Sequence, residues 1–262
     1  MAEQKIRLGG MALTNGVLVH GPTAWACSIR AADGRIETVA RVKRFQASKI
    51  ERPVLRGPAR LLEVATLLPQ VKRALPAAKL PFERPRVIAM MVASALAGQA
   101  VKRSRLRPMV RELAGSLLSL APTVLAVRGS DVAAYHGAEH ISIGSYEHGE
   151  PRPREHERCG THLVGPLVLT LAAANALASA APRRFRRPAR LAASLGALAA
   201  TTELFGWMTR NPEKRLSRAL ARPGHEFQHR FATAEPTAEQ LEVADAALRA
   251  CLALEDGDRN QD

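Results

Sequence analysis

Aromatic residues make up only 4% of the 262-residue chain, and no stretch interleaves them with basic side chains. A protein that stacks single-stranded bases needs both, so that class is not expected, nor is specific nucleic-acid binding. Cysteine is scarce. Cys27, Cys159 and Cys251 are far apart and odd in number, with no C-x-x-C pair. That excludes a disulfide framework and fits a reducing compartment. The first ten residues, M-A-E-Q-K-I-R-L-G-G, hold no apolar run of the kind a cleaved secretory signal requires. Acidic residues are also in deficit: 24 Asp and Glu stand against 38 Lys and Arg, a formal net charge of +14. Such a surface favours anionic partners, acidic lipid headgroups among them, although a merely solvated basic surface has the same composition.

Residues 5–45 read as β structure. Short extended runs at 24–29 and 35–42 flank Asp33-Gly34, a hairpin turn signal because glycine accepts the positive φ of a tight turn. Upstream, Gly9-Gly10, Gly16 and Gly21-Pro22 punctuate the chain; turns are the favoured reading over close backbone packing. Arg56-Gly57-Pro58 opens a helix, with proline at a first-turn position. Leu61, Leu62, Ala65 and Leu68 form an apolar stripe on it, expected to be core. Pro69 and Pro76 are expected to break or kink the helix.

Four apolar stretches come next, at residues 87–101, 113–127, 163–182 and 191–208, the last interrupted by the single charge Glu203. Basic clusters separate each pair: Lys102, Arg103, Arg105, Arg107 and Arg111, then Arg183, Arg184, Arg186, Arg187 and Arg190. The pattern is two helical hairpins with basic tips. Fifteen helical residues reach about 22 Å, short of a bilayer core. Shallow insertion or surface association of amphipathic hairpins fits the charge distribution, and so do buried helices of a soluble bundle. Near the end, Thr237-Ala238-Glu239-Gln240 is a capping box that starts an amphipathic helix lined by Leu241, Ala244, Leu248 and Leu252. The last eight residues read as a frayed tail.

The chemistry gathers between Asp131 and Leu163. His136-Gly137-Ala138-Glu139-His140 is an H-x-x-E-H. On a helix capped by Ser130-Asp131, the two imidazoles lie one turn apart and can share a metal ion. Glu139 projects beside them as a candidate general base, the layout of an inverted zincin. Gly149 and Pro151 should end that helix. A catalytic zinc site needs a third protein ligand, and a structural one needs a fourth. Glu203 is the first candidate, since a lone carboxylate in an apolar helix needs a partner; pairing with an arginine such as Arg210 is the plain alternative. His156 and Cys159, at His-x-x-Cys spacing, are the other completing ligands. His148 and His162 are weaker candidates, adjacent to loops. His225 and His229 form a second pair one turn apart without a glutamate, read as surface or packing.

On these residues the chain resembles the YqhQ-like bacterial family (domain of unknown function 1385). The matching pieces are Leu8-Gly9-Gly10-Met11-Ala12, Asn15-Gly16-Val17, Gly21-Pro22, Asp33-Gly34, Leu55-Arg56-Gly57, Tyr135 through His140, Tyr146-Glu147, Arg158-Cys159-Gly160-Thr161, Glu203, Glu235-Pro236 and Gln240 through Ala244. They cover nearly the full length in order. The resemblance implies a metal-dependent enzyme, often a membrane protein. Family members carry plainer hydrophobic spans, whereas these are short and rich in alanine.

The expectation is an α+β chain, mostly α. An N-terminal β-hairpin region plus helix occupies residues 1–86, helical hairpins with the H-x-x-E-H helix 87–208, and a C-terminal arm with an amphipathic helix 209–262. The expected function is zinc- or other divalent-metal-dependent hydrolysis by a membrane-associated enzyme. Glu139 is its general base, and its ligands come from His136, His140, Glu203, His156 and Cys159. A non-catalytic membrane or assembly factor with a structural metal is the alternative. The expected partner is an anionic membrane surface, on the cytoplasmic side of the cell membrane or, failing insertion, from the cytoplasm.

Overall fold

The computed structural model describes residues 5–50, 52, 54–127 and 131–259. The expected cap at Ser130 lies outside them. Among the described residues are a four-stranded antiparallel sheet and eight α-helices. The strands are β1 (Gly9–Ala12), β2 (Gly16–His20), β3 (Ala24–Arg30) and β4 (Ile36–Val42), paired in sequence order. The helices are α1 (Arg56–Ala74), α2 (Pro85–Arg103), α3 (Pro108–Val127), α4 (Asp131–His148), α5 (Val164–Ser179), α6 (Arg186–Arg210), α7 (Arg215–Phe227) and α8 (Ala238–Arg259). By contact the chain falls into two compact units. The first comprises Met1–Gln46, Thr66–His156 and His229–Asp262; the second comprises Ala47–Ala65 and Glu157–Gln228.

In the first unit the sheet is a meander. Gly34 takes φ +83°, the left-handed conformation its turn demands. The expectation of turns fails for Gly9, Gly10 and Gly16, which lie within strands. A Cβ on Gly16 would sit 2.1 Å from the Ser28 carbonyl oxygen, and one on Gly9 would meet the His20 ring. These glycines are there for close approach. Both sheet faces are covered, as the nearly unbroken burial of β2 and β3 requires. Val17, Val19 and Ala26 face α4 and α8 in one cluster, and Leu18, Trp25, Cys27 and Ile29 face Leu67, Val71 and Leu75 in another. The buried stripe of α1 is therefore Leu67 and Val71, continued by Leu75 just past its end. Leu61 and Leu62, expected in the core, are exposed. Pro69 is accommodated inside α1, which runs on to Ala74.

α2 and α3 pair as a hairpin. At 19 and 20 residues they measure about 29 and 30 Å, longer than their uncharged cores suggested because the basic residues extend the helices. Ile88, Met91, Val92 and Leu96 are exposed along α2. The expected capping box forms at α8: Thr237 N–H donates to Gln240 Oε1 (3.0 Å) and Gln240 N–H to Thr237 Oγ1 (3.3 Å). The expected frayed tail does not begin at Glu255. α8 continues to Arg259, and the buried Glu255 carboxylate accepts Thr23 N–H (2.8 Å), Thr23 Oγ1–H (3.0 Å) and Ala24 N–H (2.7 Å) at the β2–β3 turn.

In the second unit α5 and α6 form the other hairpin. Their alanine-rich faces approach closely enough for Thr170 and Thr201 hydroxyls to hydrogen-bond at 2.7 Å. Val168, Leu169, Leu177, Leu191 and Leu195 are exposed. Gly160–Ala178 is, by length and composition, apolar enough to cross a membrane, and only 17% of that stretch is buried. Arg56 and Gly57 pack on α6, where a Cβ on Gly57 would fall 1.9 Å from Thr202 Oγ1.

Candidate metal centre

α4 carries the H-x-x-E-H and ends where glycine lets it: Gly149, at φ +75°, donates its N–H to the Ser145 carbonyl. Helical spacing brings His136 and His140 together, with ring centroids 4.3 Å apart. A nitrogen of each ring lies within 4.8 Å of the other's. Each ring is fixed from behind by a backbone carbonyl. His136 Nδ1 donates to Ala232 O (2.8 Å) and His140 Nδ1 to Arg154 O (2.6 Å). Protonation at Nδ1 places each ring's lone pair on Nε2, which is how metal-binding histidines are oriented. Glu139 Oε2 lies 3.8 Å from His136 Nε2 and 3.7 Å from His140 Nε2.

Glu139 is only 6% exposed. Burial pushes its carboxyl above the usual range; His136 and His156 pull it back, and Glu147 pushes it further up. His156 joins the same cluster. Its ring centroid is 5.5 Å from that of His140, and its Nε2 donates to Glu147 Oε2 at 3.2 Å.

The carbonyls that hold the two rings are themselves held. Arg154 reaches the Thr233 carbonyl (3.4 Å) and pairs with Glu155 and Glu235. Ala234 N–H donates to Ala133 O. Gly137 permits this approach, since a Cβ there would lie 2.2 Å from Ala234 O. The segment carrying Ala232 is a π-helical turn, Gln228–Ala232, a widened turn that often marks functional sites.

Cys159 stands in the second unit at the head of the 3₁₀ turn Gly160–Leu163. It is three residues after His156, a span of at most about 11 Å of backbone. The other two thiols, Cys27 and Cys251, are buried, which pushes both up to about 12. Glu203 has the partner its apolar helix required. Its carboxylate accepts two bonds from Arg56, one from Nε at 2.8 Å, and a third from Val54 N–H. The expected third ligand is thus held in an ion pair, with Arg56 rather than Arg210. His162, a weaker candidate, is buried, with its Nδ1 3.2 Å from Gln228 Nε2. His148 and His225 are exposed, and His229 pairs with Glu155 at 3.0 Å.

Sequence reasoning missed Gly10. A Cβ there would meet Glu139 Oε1 at 2.4 Å, so β1 lies directly against the buried carboxylate. A glycine inside a strand is itself the signal for such an approach. The holding roles of Arg154 and Ala232 had no sequence signal, because backbone carbonyls are present in every residue.

Residues 117–254, more than half of the chain, match the family described as Protein of unknown function (DUF1385). The chain belongs to that family. The DUF1385 match takes in all of α4, the carbonyl-bearing segments around Arg154 and Ala232, Cys159 and most of α8. No curated protein and no solved structure matches.

Proposed function

We propose that this DUF1385 protein is a membrane-associated, metal-dependent hydrolase. The observation that carries the reading is the buried Glu139 carboxylate set beside the Nε2 atoms of two histidines whose Nδ1 atoms are both bonded to carbonyls. His136 and His140 would hold the ion, with Cys159, at His-x-x-Cys spacing from His156 in the chain, as a completing donor; imidazole nitrogen and thiolate sulfur suit zinc. A bound divalent ion supplies Lewis acidity to a carbonyl and acidifies a water. Glu139 takes and returns the proton. Burial raises its affinity for a proton above that of an ordinary carboxylate, the direction a general base needs. Arg154 and Ala232 keep the rings in one tautomer, and Glu147 orients His156. The exposed apolar faces of both hairpins, with basic residues at their tips, support association with an anionic membrane surface at the cytoplasmic side.

A second reading, a structural metal in a non-catalytic membrane factor, is favoured by burial, since His140 is only 2% exposed. Metal analysis of variants separates the two. In the enzyme, Glu139→Gln keeps its metal and loses activity on a panel of ester and amide substrates by roughly 10²–10⁴-fold. His140→Ala and Cys159→Ala lose the metal. With a structural metal, Glu139→Gln is silent and both ligand variants melt at lower temperature. A Glu139→Gln protein as metal-free as His140→Ala would remove Glu139 from the role of base.

A further inference from the structure

β1 is an edge strand. Its register with β2 pairs Gly9 with His20, Gly10 with Val19, Met11 with Leu18 and Ala12 with Val17. Leu13 N–H donates to Gly16 O at the turn, so Leu13–Gly16 is a hydrogen-bonded pair. Pairs alternate along an antiparallel ladder. Met11 and Gly9 are therefore bonded to β2, and the N–H and C=O of Gly10 point away from it. Gly10 is exposed, whereas Leu8 and Ala12 on either side are buried. The opening in this edge is one residue wide, and it lies against Glu139.

The geometry points to Gly10 as the backbone docking point of an extended peptide substrate, whose amide bond is the one hydrolysed. This rests on the metal-dependent reading above and names its substrate class. An outward N–H and C=O on one residue are matched by the C=O and N–H of one extended residue, the pairing used when a peptide joins a sheet edge. An ester-linked lipid offers no such donor. A second copy of this chain could also pair edge to edge, but two bodies of formal charge +14 repel. Arg7, exposed just before β1, favours acidic side chains on the peptide, and the Lys5 ammonium, which donates to the Tyr146 carbonyl, adds positive charge nearby. In the reaction the water oxygen bonds to the carbonyl carbon and the C–N bond breaks. The water's proton passes by way of Glu139 to the leaving nitrogen, giving an acid and an amine with no redox partner.

The test uses the full chain, stripped of metal and kept in EDTA, so that binding is read apart from catalysis. A synthetic pool of ten-residue peptides, randomised except for two glutamates, is selected on it. The retained peptides should slow hydrogen exchange at the Gly10 amide at least tenfold. Replacing one backbone amide of the peptide by an ester, or N-methylating it, should weaken binding about tenfold at one position and leave the neighbouring positions nearly unaffected. Retained peptides that leave Gly10 exchange unchanged, or a pool that yields none, overturn the proposal. So does a Gly10 amide protected in the free protein together with a doubled sedimenting mass, which assigns the edge to a second copy. Metal content is measured separately. A chain that binds peptide at Gly10 but never takes up zinc keeps the docking point and loses the hydrolase.

Discussion

His20 sits on β2 with its Nδ1 accepting a hydrogen bond from Lys43 Nζ at 3.2 Å. Burial, and then the nearby Lys43 charge, lower its pKa to about 3; in the unfolded chain it titrates near 6.5. Between those values only the unfolded state is protonated at this site. Its stabilising contribution is therefore complete above about pH 6.5 and is lost as the pH falls toward 3. At pH 5 the loss is about 2 kcal/mol. Urea midpoints should drop between pH 7 and pH 5, and His20→Gln should flatten that drop; an equal drop in the variant would assign it to other groups. The candidate site was legible at this scale where chemistry follows helical spacing: His136, Glu139 and His140 converge because positions three and four apart share a face. Glu203 misled because a lone carboxylate in an apolar helix requires a partner, and spacing does not say which; Arg56 lies 147 residues away. Gly10 was visible as a glycine, but what it approaches was not.

Elements bounded by explicit signals were read well. The capping box, Gly149 and Asp33-Gly34 each fix a local conformation by their own hydrogen bonds or φ, and the apolar runs between basic clusters became the two hairpins. α8 ran past its expected end because Glu255, which composition assigns to a tail, accepts three hydrogen bonds and is buried at the β2–β3 turn. Glu255→Gln turns an amide N–H₂ toward those donors. It should cost about 2–3 kcal/mol in urea unfolding without changing metal content. A cost below about 0.5 kcal/mol would mean that α8 docks by its apolar face alone. The π-helical turn had no sequence signal, since it differs from an α-turn only in backbone register.

At the scale of the whole molecule, the interleaving of the two units was not legible, because each draws on segments far apart in the chain. Charge was. We expect the protein to float with vesicles of acidic lipid and much less with neutral ones, each engaged Lys or Arg adding about 1 kcal/mol. Raising salt to 1 M should weaken that binding sharply if headgroup charge drives it; salt-independent flotation with both lipids would point to insertion of the apolar hairpins instead. The Glu255 clamp also sets a clock. Thr23 and Glu255 are 232 residues apart, so at about 5–20 residues per second a ribosome that has made the turn takes on the order of ten to fifty seconds to deliver its latch. Throughout that interval Val17, Val19 and Ala26 lack the α8 side chains that cover them. A nascent chain stalled before α8 should be the form on which chaperones and proteases act.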